Sequence, residues 1–183
     1  MELSKQNCTK VAFLLGIDEF KPPSCFEVCD LLGRGRTGSG VFKAPDQTSK
    51  QKYAAKIFQV QPKFVAHALS SRAVQPSSVA LYHARKFRAV RELQHANIVK
   101  YFFQDVSYAP ALKSYQKRIF MECCNGDTLE RDMGNFYENY KTGYKAPDVY
   151  HYFLGLLSGL DYLQHHHIVH RDLRPEKLIE YLY

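Results

Sequence analysis

The residues of this 183-residue sequence whose types and spacing could do chemistry lie in a few short stretches. Gly33-Arg34-Gly35-Arg36-Thr37-Gly38-Ser39-Gly40 contains G-x-G-x-x-G, and glycines at this spacing let backbone N–H groups approach a phosphate. Dinucleotide-binding folds use the same pattern and glycine-rich turns match it by chance, so the flanking elements must decide between them. A second stretch, His170-Arg171-Asp172-Leu173-Arg174-Pro175-Glu176-Lys177, follows a helix-like segment ending in His165-His166-His167-Ile168-Val169. Lys177 cannot hold a cation there, because an ammonium has three donors and no lone pair. The histidines invite a metal reading, but consecutive residues point in divergent directions and no Cys or carboxylate stands at metal-site spacing. Histidines are in any case favoured at a helix C-terminus by the dipole.

The elements that must position these residues can be read in order. Residues 1–24 mix charges with a short apolar run and close on Pro22-Pro23, which predicts an irregular leader. Phe26 to Leu32 alternates as a strand, with Cys25 and Cys29 as simple strand residues. After the glycines come Val41-Phe42-Lys43-Ala44, a Pro45-Asp46-Gln47-Thr48 turn, and Tyr53-Ala54-Ala55-Lys56-Ile57-Phe58. That is strand, turn, strand, whereas a dinucleotide fingerprint needs a helix to begin at the glycines. Leu81, Ala84, Phe87 and Val90 form the apolar side of a helix, and Ile98 to Val106 and Gln116 to Met121 read as strands joined by a polar loop around Ser107 to Lys113. Asp127 to Tyr144 predicts a short helix and a loop. Pro147 then opens a long helix, as residues of its type favour, with a stripe at Val149, Tyr152, Phe153, Leu156, Leu157, Leu160 and Leu163. Gly155 and Gly159 each cost that helix about 1 kcal/mol relative to Ala, which predicts a neighbour packed closely against them.

Three motifs in this order resemble those of protein kinases. Gly33 to Gly40 with Lys56 resembles the family's Gly-rich loop and the lysine of its third strand. Phe120-Met121-Glu122-Cys123-Cys124-Asn125-Gly126 resembles the hinge, and His170 to Lys177 resembles H-R-D-L-K-P-x-N with departures at Arg174 and Lys177. The resemblance implies ATP as the nucleotide, bound by Leu32, Gly33, Arg34, Gly35, Arg36, Thr37, Gly38, Ser39, Gly40, Val41 and Lys56. It also implies a gatekeeper at Met121, with the Glu122 carbonyl and the Cys124 backbone facing adenine. Asp172 takes the place of the base that accepts a substrate hydroxyl's proton, with Arg174 as its catalytic-loop cation. Mg2+ is expected for the family, but its Asn ligand is replaced by Lys177 and no D-F-G follows within these residues. Gly40 also sits where the family has Val, which predicts a one-residue bulge in the loop.

The departures continue in the helix that should carry the lysine's partner. Gln59 to Arg91 contains no Asp or Glu, and counting back from His95-Ala96-Asn97-Ile98-Val99, which resembles H-P-N-I-V, puts Lys86 at the Glu position. Glu92 lies six residues on, about 240° further round a helix, and cannot face the same way. If Lys86 faced Lys56, the pair would repel by roughly 4 kcal/mol at about 4 Å and an effective dielectric near 20. Either the helix swings out or bound phosphate holds both lysines.

Composition narrows the classes. The net charge of +7 suits anionic partners, nucleotide phosphate among them. Arg85, Lys86, Arg88 and Arg91 form the densest basic patch, but no aromatic platform or nucleic-acid motif accompanies it, so it reads as a solvated helix face and nucleic acid is not an expected partner. No run of about 18 apolar residues exists to cross a membrane, and Val11 to Leu15 is too short for a signal-peptide core. Five cysteines without paired spacing predict reduced thiols, and the chain is expected to be cytoplasmic.

The expected fold class is α+β: a kinase-like small lobe over 25–124, with an antiparallel five-stranded sheet and one helix, then the truncated start of a helical large lobe over 125–183. Arg174 keeps a positive charge where serine/threonine kinases carry Lys, and the Tyr53 to Phe58, Asn97 to Phe102 and Phe120 to Leu129 runs look most like the IκB-kinase-related branch. The implied partners are adenine nucleotide and a protein substrate or signalling partner. Two functions follow: a serine/threonine protein kinase domain, inactive as these residues alone, or a pseudokinase-like interaction module without phosphoryl transfer.

Overall fold

The computed structural model describes residues 7–17, 26–35, 39–60, 65–66 and 78–179, and divides into two compact units, residues 1–93 with 100–123 and residues 94–99 with 124–183. The first unit is built on β1 (Leu31–Arg34), β2 (Gly40–Lys43), β3 (Tyr53–Gln59), β4 (Tyr101–Ala109) and β5 (Ser114–Glu122), antiparallel throughout in the order β1-β2-β3-β5-β4. Helices α1 (Cys8–Leu14) and α2 (Ser78–Arg91) accompany it. This is the five-stranded antiparallel sheet with helices that the resemblance implies.

Strand alternation gives the sheet two differently covered faces. Ala55 lies opposite Phe120, and these two pack with Ala44, Ile57, Phe26, Phe42, Tyr53 and Phe103 into an aromatic cluster whose Phe103 and Phe120 rings stack at 4.5 Å. On the opposite face Val106 and Tyr115 meet Cys8, Val11 and Ala12 of α1, together with Ile17, Val60 and Val65. Residues 7–17 are therefore part of the core, where the sequence predicts an irregular leader. A helix of seven residues whose Asn7 makes no side-chain capping bond has little stability of its own, so burial of Val11 and Ala12 holds it in place.

Strand bounds also depart from expectation. The β1 ladder starts at Leu31, while Phe26 makes only an isolated bridge to Asp46 and Cys29 donates its N–H to the Lys43 carbonyl at 2.9 Å. Cys25 lies outside the described residues. β4 and β5 each reach further into the predicted loop, because Ser107 pairs with Gln116, Tyr108 with Tyr115 and Ala109 with Ser114. The connection shrinks to a 3-10 turn at Pro110–Leu112, closed by Lys113 at φ 46°.

The second unit holds α3 (Leu129–Tyr140) and α4 (Ala146–His165). Thr128 caps α3 by accepting the Arg131 N–H at 3.4 Å, with Glu130 and Asp132 in the first turn where acidic side chains suit the dipole. Pro147 stands at the start of α4 as predicted. The neighbour that Gly155 and Gly159 admit is the 94–99 segment: a Cβ on Gly159 would lie 3.3 Å from the Asn97 carbonyl oxygen, and one on Gly155 would lie 3.1 Å from Asn97 Nδ2. Ser158 Oγ lies 3.2 Å from His95 Nε2, and the Gln94 N–H donates to the Tyr162 hydroxyl at 3.2 Å.

Candidate active site

The glycine-rich stretch joins the antiparallel pair β1 and β2. Gly35 donates its N–H to the Ser39 carbonyl at 2.6 Å, and a Cβ on Gly35 would run into the buried Ser39 hydroxyl, so a larger residue there requires the Ser39 side chain to shift. Arg36, Thr37 and Gly38 lie outside the described residues. The ladder irregularity falls on β1: Leu31 faces Phe42 and Gly33 faces Val41, leaving Leu32 as the extra residue, whereas the sequence places a bulge near Gly40. Bulges are common on edge strands such as this one, where one side of the ladder is unpaired.

β3 carries Lys56 between Val41 on β2 and Ile119 on β5. Its ammonium lies 5.3 Å from the Phe58 ring centroid, two residues along the same strand face. Lys86 does not confront it. The Lys86 side chain is exposed and its ammonium sits 4.5 Å over the ring of Tyr82, one turn back on α2, so the repulsion that an inward-facing Lys86 would bring does not arise. Ala84 is buried, Phe87 meets the Tyr101 ring at 6.4 Å, and Arg85, Arg88 and Arg91 are exposed, which makes the basic patch the outer face of a packed helix.

Glu122 closes β5 onto the start of β4. Its N–H donates to the Lys100 carbonyl at 2.8 Å and its Oε2 accepts the Lys100 N–H at 3.2 Å. Met121 lies opposite Ala54, on Lys56's face of the sheet. Cys124 belongs to the second unit and is half-buried.

The H-R-D segment of the second unit is held from below. The Leu129 N–H donates to the Leu178 carbonyl at 2.8 Å, Thr128 bridges to Ile179, and Pro175–Lys177 forms a 3-10 turn. Arg171 takes the left-handed conformation at φ 63°, an unfavourable backbone for a long side chain. The Asp172 carboxylate is exposed, and Arg174 lies between two carboxylates, with Nε 3.1 Å from Asp172 Oδ1 and Nη1 3.4 Å from Glu176 Oε1. The Arg174 guanidinium thus offsets the Asp172 charge. Lys177 is exposed on the 3-10 turn. The residue matched to the family's Mg2+ ligand does not fit the ion, because the Lys177 ammonium has no lone pair to offer a cation.

Two charged groups in the first unit escape sequence reading. Arg118 donates from Nε to Asp105 Oδ1 at 2.7 Å and from Nη2 to Oδ2 at 2.5 Å, a bidentate pair buried on the aromatic face. Burial pushes the Asp105 carboxyl up, against the opposing pull of Arg118's hydrogen bonds and charge. Lys117, on the face shared with Lys56, is pushed below the ordinary lysine range by burial. Only the β4–β5 register shows which charge meets which.

Residues 26–180 match the family described as "Protein kinase domain". The chain is 29% identical over 157 residues to the mouse inhibitor of nuclear factor kappa-B kinase subunit epsilon, 27% over 164 residues to cyclin-dependent kinase 7 of Xenopus laevis, and 22% over 155 residues to the serine/threonine-protein kinase bur1 of Neurospora crassa. These alignments cover 82%, 90% and 85% of the chain, but the chain spans only 18%, 41% and 26% of the relatives' lengths.

Proposed function

The chain belongs to the protein kinase family, and from that premise we propose that it is an ATP-binding serine/threonine protein kinase domain whose residues 1–183 do not transfer phosphate by themselves. The observation that carries the nucleotide reading is the antiparallel β1–β2 pair flanking the glycine-rich stretch, closed by the Gly35-to-Ser39 hydrogen bond, with Lys56 on the adjacent strand opposite Val41. Backbone N–H groups of that stretch and the Lys56 ammonium would hold phosphates. The Glu122 carbonyl and the Cys124 backbone would meet the adenine edge. ATP supplies the phosphoryl group when bound; the chain's own contribution is a base, Asp172, with Arg174 beside it. The serine/threonine preference rests on Arg174, and the IκB-kinase-related branch on the sequence runs around Lys56 and Glu122. Protein substrates or signalling partners in the cytoplasm belong to the same reading. No helix among the described residues is long and apolar enough to cross a membrane.

A pseudokinase-like interaction module is favoured by a separate observation: Lys177 stands in place of a metal ligand, and the α2 residue matched to the family's glutamate is Lys86, stacked on Tyr82. Nucleotide titration separates binding from its metal dependence. Residues 1–183 should bind labelled ATP weakly, Lys56→Ala should weaken it by about tenfold, the loss of one charge-assisted contact, and magnesium should change the affinity little. Affinity equal in the variant would remove Lys56 from the site, and a large gain with magnesium would show that a metal is held despite Lys177.

A further inference from the structure

The second unit contains a cleft of about 340 Å³ that the kinase reading does not use. It is lined by Asp132 and Phe136 of α3, Tyr144 of the connection, and Asp148, His151 and Tyr152 of α4. The spacing explains the convergence, because Asp132 with Phe136 and Asp148 with Tyr152 are each four apart and so share a helix face. Tyr144 joins the two sets: its ring centroid lies 4.9 Å from that of Phe136 and 5.6 Å from that of Tyr152, and its hydroxyl donates to Asp132 Oδ2.

The ordinary reading is an aromatic cluster that ties a connection to two helices. The charges argue for more. Two carboxylates line one open cavity in a chain of net charge +7, and neither forms an ion pair with a Lys or Arg among the described residues. We propose that this cleft binds an alkylated ammonium group, of the kind carried by choline or by a trimethylated lysine side chain.

The chemistry selects this ligand over others. An anion would meet two like charges. A hard divalent cation wants about six or more oxygen ligands, and these walls offer two carboxylates, two phenol hydroxyls, an imidazole and a phenyl ring. An unmodified lysine head is compact and strongly hydrated, so it gives up most by leaving water. An ammonium clad in methyl groups holds its charge within an apolar shell, which suits aromatic faces, while Asp132 and Asp148 supply the opposing charge.

The test is calorimetric titration of residues 1–183 with choline and with its neutral carbon isostere, in which a tert-butyl group replaces the trimethylammonium. Choline should bind and the isostere should bind at least about fivefold more weakly, as loss of the cation's attraction to rings requires. Asp148→Asn, an exposed change in the first turn of α4, and Tyr152→Leu should each weaken choline by about three- to tenfold with unchanged circular dichroism. Equal binding of choline and isostere, no binding of either, or choline affinity indifferent to both substitutions would overturn the proposal. A peptide carrying trimethyllysine, compared with the same peptide carrying lysine, separates the sources. Tighter binding than choline, lost in the unmodified peptide, assigns the cleft to a modified protein chain; a trimethyllysine peptide no better than choline assigns it to a free small cation.

Discussion

Asp105 and Arg118 face each other across β4 and β5 with almost no solvent contact, and their value to the fold lies in being matched rather than in being charged. Removing both ions from water costs several kcal/mol, and the bidentate geometry returns it only while both partners remain. Asp105→Ala should therefore destabilise the chain by about 3–5 kcal/mol, whereas Asp105→Leu with Arg118→Met should recover most of that loss in a denaturant melt. A double variant as unstable as the single would show that the pair contributes more than mutual compensation. Lys117 illustrates the other case, a half-buried ammonium whose folded-state affinity for a proton is lowered by desolvation. The folded state then holds fewer protons than the unfolded one between the lowered value and the ordinary 10.5, so stability rises with pH through that window. Lys117→Met should remove the penalty at neutral pH; a return of about 1 kcal/mol would raise Tm by roughly 2–4 °C and flatten the alkaline rise. An unchanged pH profile in the variant would assign that rise to another group.

At the scale of elements, α4 packs closely on the 94–99 segment at Gly155 and Gly159. Ala is favoured over Gly in a helix by about 1 kcal/mol, so a Gly→Ala change stabilises α4 unless the new methyl meets something fixed. At Gly155 the neighbour is the Asn97 side-chain amide, which can rotate away; at Gly159 it is the Asn97 backbone carbonyl, which cannot. Gly155→Ala should accordingly be neutral or stabilising by up to about 1 kcal/mol, and Gly159→Ala destabilising by a similar amount or more, measured as denaturation midpoints. The reverse order would mean that the 94–99 segment shifts more easily than the Asn97 amide turns. That a neighbour exists is legible from sequence, because two helix-weakening glycines four residues apart need a reason. The strand types of β2, β3 and β5 are legible too, through alternation and the Pro45 to Thr48 turn. Helix α1 is not: seven residues without a capping bond carry no local signal, and only the apolar ground at Val106 and Tyr115 that they cover calls for them. The site divides in the same way. Its glycines, Lys56 and Asp172 are legible as motif, while the outward turn of Lys86 depends on Tyr82 one helical turn away, and the Leu32 irregularity on a register that no short motif encodes.

For the whole molecule the question is whether a base, a lysine and a glycine hairpin amount to a catalyst. In phosphoryl transfer there is little covalent chemistry for the protein to do, and the rate comes from positioning and from stabilising charge on the transferring group. Asp172 can accept a proton, but a base accelerates only when a hydroxyl is held within hydrogen-bond reach of it. The position matched to the family's metal ligand carries the Lys177 ammonium, and α4 leaves Phe153 and Leu157 more than half exposed. Restoring single residues does not supply the rest. Residues 1–183 should give no measurable transfer from radiolabelled ATP to a generic basic protein, and Lys177→Asn with Lys86→Glu should not create it. That double substitution would return one metal ligand and one partner for Lys56, yet Lys86 lies on the outer face of α2, so a glutamate there would still point at solvent beside Tyr82. Asp172→Ala is the control. Label incorporated by the unmodified chain and lost with Asp172→Ala would establish that the hairpin, Lys56 and the H-R-D segment suffice for transfer, and that charge stabilisation comes from residues other than the family's metal ligands.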